Sequence, residues 1–378
     1  MCYKKLIGIV AVSAIMAISL ASDAAQQELV FIGSGRANIE AFRFDLESGA
    51  LTHIGQAARI AHPSYFTIAP NHQFLYSITE GHKAADSSVS AFAIDPASGK
   101  LTLINSQPAR GAGPCYIEVD SSGKDALIAN YASGSVAVLQ IDASGALKPI
   151  SAFVQDEGSS VNHDRQEGPH AHCIVTDPSD QYAFVCDLGL DKVLSFKFDS
   201  VQSSLRPNDP PFVATKPGVG PRHIVFHPNG RWAYVSDEMG SAIATYSYDG
   251  ATGTLHEIQS ESTLPKDFSG NNTGAELAVH PNGKFVFFSN RGDDSIVVFA
   301  CDPDTGRLSF VERDSTDGKV PRQFEIDPTG AYLLAANQDS NTVVVFRIDK
   351  ETGHLQRVGD AVSSDNPMCI KFMPPEMR

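Results

Sequence analysis

Nine side chains between positions 170 and 323 have the types and spacing of a reactive site: His170, His172, Arg222, His223, Glu238, Glu276, Arg291, Arg322 and Gln323. Most sit in a recurring phrase, read as Pro169-His-Ala-His172, Pro221-Arg-His223, Gly274-Ala-Glu276 and Pro321-Arg-Gln323, while Asp237-Glu238 and Asn290-Arg291 each end a β-rich run. Three arginines in an acidic protein make a local anion site, because planar guanidinium forks suit a carboxylate or a phosphate. Histidines beside them can move protons near neutral pH, and the carboxylates can orient a histidine or act as bases. The plainer alternative is that these groups hydrate a channel or tie elements together as ion pairs. Charge of both signs gathered at inward-pointing strand ends is costly unless solvated or paired, and argues for a site.

What must position them is a repeat. Seven polar turns punctuate the chain: Asp45 to Leu51, Asp95 to Leu101, Asp142 to Leu147, Asp199 to Leu205, Asp249 to Leu255, Asp302 to Leu308 and Asp349 to Leu355. Their closing leucines are 46 to 58 residues apart. A period near fifty filled with short strands predicts an all-β, seven-bladed β-propeller of four-stranded sheets. A second turn, as in His227-Pro-Asn-Gly230 and His280-Pro-Asn-Gly283, recurs six times and locks the phase. The missing inner strand is Asn366 to Phe372, which is expected to pair beside Leu29 to Ser34 and close the ring, leaving only short protected edges. In a propeller the first strand of each blade lines the central channel, so the phrases above converge on one mouth. The second strands run back to the same end and deliver Thr79-Glu80, Asn130-Tyr131, Asp237-Glu238, Asn290-Arg291 and Asn337-Gln338.

Two further stretches bear on that mouth. The segment Phe153 to Pro169 is long for a connection and precedes His170, so it reads as a lip carrying His163, Asp164, Arg165 and Gln166. The segment Ser262 to Gly274 stands before Glu276 in the same way. His227, His280 and the turn aspartates read as turn formers. Cys173 and Cys186 would face each other in the hairpin at Pro178, where a disulfide and a pair of packed thiols are both open readings.

The chain has 378 residues and a formal charge of -15, which argues against nucleic-acid or anionic-membrane partners. Lys4-Lys5, the apolar run Leu6 to Leu20 and Ser22-Asp-Ala24 have the layout of a secretory signal peptide over 1–24, with the propeller over 25–378. Export to a periplasm, or secretion, with no membrane attachment after cleavage, is the expectation. No phosphate-cradling loop, dinucleotide fingerprint, haem-attachment motif or close cysteine spacing occurs, so the sequence predicts no cofactor and no metal.

The motifs Gln166 to His172, Gly220 to Gly230, Ala275-Glu276 with Ser289 to Ser295, and Pro321 to Gly330 with Ala336 to Ser340 resemble the seven-bladed propeller lactonases, over essentially the whole mature chain. That family includes bacterial 6-phosphogluconolactonases and fungal carboxy-cis,cis-muconate cyclases. The cyclase site of one histidine, two arginines and one glutamate corresponds by motif to His172 or His170, Arg222, Arg291 and Glu238. The resemblance implies a lactonase that opens a sugar-acid lactone, 6-phosphogluconolactone or a related aldonolactone. His172 would be the base, oriented or tuned by Glu238, with Arg222 and Arg291 stabilising the oxyanion or gripping the substrate. His170, His223, Glu276, Arg322 and Gln323 would bind substrate, Arg322 taking an anionic tail. A muconate-type cycloisomerase and a non-catalytic binding propeller are the alternatives. The first strand, Phe31-Ile-Gly-Ser-Gly35, departs from the family pattern, which leaves open what blade one contributes.

Overall fold

The structure is a computed structural model and describes residues 27–373; the segment 1–24, read above as a signal peptide, lies outside the described residues. Twenty-eight strands form seven four-stranded antiparallel sheets, with one short 3-10 turn at Ala84–Asp86. Blade one is assembled from both ends of the chain: its inner strand is Pro367–Met373 and its other three are Gln27–Ser34, Asn38–Asp45 and Leu51–Arg59. The closing register pairs Leu29 with Met373, Phe31 with Lys371 and Gly33 with Cys369, as the repeat count required.

The blades hold together by two devices written into the repeat. The first is the Asp turn. Oδ1 of Asp302 accepts from the backbone N–H groups of Asp304 and Thr305 at 3.0 and 2.8 Å, and Asp45, Asp199 and Asp349 do the same in their turns, so the turn satisfies its own donors. Gly306 follows with φ +71°, and a Cβ there would meet the Trp232 ring of the preceding blade at 2.6 Å. Conformation and close approach both call for glycine. The second device is a tyrosine on a blade's second strand that donates to the next blade's Asp turn: Tyr76 to Gly145, Tyr182 to Ala251, Tyr234 to Gly306, Tyr332 to Glu47. His227 and His280 add a third link, each sharing a 2.8 Å hydrogen bond with a glycine carbonyl in the neighbouring blade's turn, Gly283 and Gly330. Their turn role holds, with a stapling function added.

Apolar side chains fill the gaps between sheets. Phe287 and Val298 of blade six pack with Phe324, Leu333 and Phe346 of blade seven, all buried. Each such side chain stabilises the fold by about 2 kcal/mol relative to exposure. Cys173 and Cys186 do face each other in register, as buried free thiols.

Candidate active site

The inner strands carry a shared irregularity that decides what reaches the channel mouth. In blade four Ala171 pairs with Asp187 and Cys173 with Cys186, which leaves His172 as an extra residue. The same bulge isolates Cys115 in blade three, Arg222 in blade five and Arg322 in blade seven. A bulge bends the strand and re-aims the unpaired residue, a device common beside active sites. The second strands supply the other wall. Glu80, Tyr131 and Glu238 each stand one residue past a strand end, and Arg291 ends its own strand.

A cavity of about 320 Å³ opens there, lined by Glu80, Cys115, Tyr131, Arg165, His172, Glu238, Thr273, Arg291 and Arg322. Blades two to seven all contribute and blade one does not, which answers the question its divergent strand raised. Of the lip residues, Arg165 enters the cavity, while His163 and Asp164 stay exposed. Gln166 is fully buried and anchors the lip by donating to the Leu188 carbonyl at 2.8 Å. Thr273 comes from the second segment expected at the mouth.

Glu238 is the hub. Oε1 accepts from Arg165 Nη2 at 2.7 Å, and Oε2 lies 2.9 Å from Arg291 Nη2 and 3.2 Å from Arg222 Nε. Burial alone would raise this carboxyl, but Arg291, Arg222 and Arg165 outweigh it and hold it at about 2. Burial, in turn, lowers Arg291 to about 10 despite Glu238. His172 Nε2 stands 3.9 Å from Glu238 Oε2, beyond direct hydrogen bonding. Aromatic edges hold the His172 ring instead: Tyr131 and His223 at centroid distances of 5.5 and 5.2 Å. Burial first, then Arg222, His223, Arg322 and Arg291, push the imidazole well below its ordinary range, so it is neutral at pH 7.

Several expected substrate contacts are placed elsewhere. His170 stacks behind Tyr131 at 4.5 Å and bonds its carbonyl through Nδ1 at 3.0 Å, so of the two histidines only His172 lines the cavity. His223 pairs through Nδ1 with Glu276 Oε1 at 3.1 Å, and neither residue lines the cavity. Burial, with Arg222 next, takes His223 down to about 4. Gln323 is structural: its side chain accepts from Ile370 N–H at 2.9 Å and ties blade seven to the closing strand. Arg222 reaches Glu238 from behind and does not line the cavity. The bulge accounts for part of this: His223 and Gln323 flank the extra residues Arg222 and Arg322 and keep sheet pairing, whereas Arg222, an extra residue itself, is drawn to Glu238.

Two lining groups have no side-chain partner among the described residues. Arg322 makes no hydrogen bond or ion pair there. Its guanidinium is lowered by burial and by Arg222, and Glu80 and Glu238 offset part of this. Glu80 likewise pairs with nothing. Sequence reasoning placed Glu80 and Tyr131 at strand ends but did not single them out. The signal available was that Thr79-Glu80 and Asp237-Glu238 occupy the same position of the repeat. Among the described residues, no three His, Cys, Asp or Glu side chains are grouped to hold a metal ion.

Residues 30–372 match the family described as Lactonase, 7-bladed beta-propeller. A 6-phosphogluconolactonase of Bacillus subtilis (strain 168) is 38% identical over 340 residues, covering 90% of this chain and 95% of that protein. One of Formosa agariphila is 36% identical over 291 residues, covering 76% and 81%. Among solved structures, the periplasmic gluconolactonase of Pseudomonas aeruginosa superposes with a TM-score of 0.86 at 32% identity, covering 92% of this chain and 99% of that one.

Proposed function

The chain belongs to the seven-bladed β-propeller lactonases, and on that footing we infer that it hydrolyses a sugar-acid lactone, 6-phosphogluconolactone or a related aldonolactone, to the open acid. The observation that carries this reading is a neutral, buried imidazole beside an arginine cluster in one open cavity. His172 takes a proton from water as that water adds to the lactone carbonyl. Arg291 faces the oxyanion that develops, and its donors are preorganised by Glu238. When the tetrahedral intermediate collapses, the ring C–O bond breaks and the leaving alkoxide takes the proton from His172. The product is a hydroxy acid, which ionises at neutral pH.

Arg222 and Arg165 hold Glu238 in place, and Arg322 takes an anionic substituent of the substrate. The relatives named for gluconolactone chemistry do not favour a cycloisomerase or a non-catalytic scaffold. We further propose that residues 1–24 direct export, a reading supported by their signal-like layout and by the periplasmic relative. Acid release from 6-phosphogluconolactone and from gluconolactone, corrected for spontaneous opening and compared with His172→Ala, tests the function. Equal rates with and without wild-type protein on both lactones would refute it.

A further inference from the structure

The cavity has two unlike walls. Blades four, five and six supply His172, Glu238 and Arg291, the last two already joined as an ion pair. Blades two and seven, which flank blade one on the far side of the ring, supply Glu80 and Arg322. These two share the cavity, yet no ion pair joins them and neither has a side-chain partner among the described residues. A carboxylate and a guanidinium left apart in one cavity keep their full bonding capacity for a ligand. Glu80 accepts hydrogen bonds and cannot donate them, so it suits hydroxyl groups and repels an anion.

We propose that Glu80 is the residue that reads the hydroxyl groups of the lactone, so that the site selects a polyhydroxylated ring over a bare one. This rests on the lactonase reading above and extends it to the face of the substrate remote from the carbonyl. With the carbonyl held between His172 and Arg291, the hydroxylated carbons project towards blades two and seven. There the Glu80 carboxylate accepts from ring hydroxyls, while Arg322 donates to an anionic substituent. The thiol of Cys115, which also lines the cavity and is pushed up by burial and then by Glu80, stays protonated and adds no charge.

The test uses Glu80→Met and Glu80→Gln with two neutral six-membered lactones, gluconolactone and δ-valerolactone, which lacks hydroxyls. The Glu80 side chain is partly buried and makes no hydrogen bond or ion pair among the described residues, so both variants should fold, as a melting curve verifies. The expected result is a rise of roughly tenfold or more in KM for gluconolactone with Glu80→Met, a smaller rise with Glu80→Gln, and a much smaller change in either variant on δ-valerolactone. Equal change on both lactones, or none on either, would overturn the assignment. Calorimetric binding of gluconate separates this from the lactonase reading, because it needs no turnover. Binding that weakens in Glu80→Met supports the role of Glu80 even where no lactone is opened, and binding that does not weaken removes it.

Discussion

The guanidinium of Arg165 donates to the carboxylate of Glu238 at 2.7 Å, joining the lip before blade four to the end of a strand in blade five. A loop residue thereby completes a cluster whose other members stand on strands, so the lip belongs to the site as much as the blades do. Arg165→Met should raise KM by roughly 10- to 150-fold, the loss expected for one hydrogen bond to a charged group, with little change in melting temperature. A variant that melted much earlier with unchanged KM would show that Arg165 only braces the fold.

His172→Ala should lower kcat by roughly 10²- to 10⁴-fold with a smaller effect on KM. Because burial and the surrounding arginines depress the imidazole, it loses its basic form only at a pH well under its ordinary value. The acid limb of wild-type kcat/KM should therefore fall below pH 6.5, with the rate holding above it. An acid limb centred at or above pH 6.5 would count against His172 as the base.

Glu238→Gln removes the carboxylate that, among the described residues, pairs with Arg165, Arg222 and Arg291 together. Breaking a buried pair in this way costs about 3–5 kcal/mol, so the variant should melt earlier and lose activity. The folded carboxyl titrates at about 2, below its ordinary 4.5. Its contribution to stability is thus present above pH 4.5 and is lost as the pH falls towards 2. Melting curves between pH 2 and 5 should be flatter for the variant, and parallel curves would contradict the depressed carboxyl.

Arg322→Ala separates substrates by charge. KM for 6-phosphogluconolactone should rise by roughly 10- to 100-fold, with a much smaller rise for gluconolactone, because only the former offers a phosphate to the unpaired guanidinium. Equal losses on both would place Arg322 at the carbonyl instead.

Asp156 and Asp187 form a buried carboxyl pair under the lip, and burial followed by Asp187 raises Asp156 to about 8. The folded protein holds a proton that the unfolded chain has released, so stability declines as pH rises from about 4 through 8. Asp156→Asn should melt later than wild type above pH 8, with the difference shrinking towards pH 5. An asparagine that destabilised the protein at every pH would exclude this shared proton.

The architecture was legible because turns and strand ends recur with a period, and seven Asp turns against six second turns required a closing strand from the far terminus. The site was legible in composition but only partly in geometry. Several inner strands offer two or three polar residues at the mouth, and in blades three, four and seven the bulge turns Cys115, His172 and Arg322 inward. Thus His172 lines the cavity while His170 and His223 do not, and Gln323 braces a strand. A bulge is a property of register between two strands, and neither strand announces it alone. Arg165 was one of four polar residues in the lip with nothing to rank it, since its partner lies 73 positions away. Glu80 stands 90 positions before His170, the first residue of the charged cluster, so nothing in sequence joins it to that cluster.

The shared blade has a temporal meaning. Leu29 finds its partner Met373 only after nearly the whole chain exists, so the most non-local pairing in the molecule is also the last to become available during synthesis. Until Pro367–Met373 arrives, Gln27–Ser34 presents an unpaired edge and the channel lacks one of its seven staves. Commitment to the native ring, and with it the assembly of a mouth drawn from six blades, waits on the final strand. A chain stopped before Pro367 would be an open arc with every reactive side chain present and no fixed distance between them.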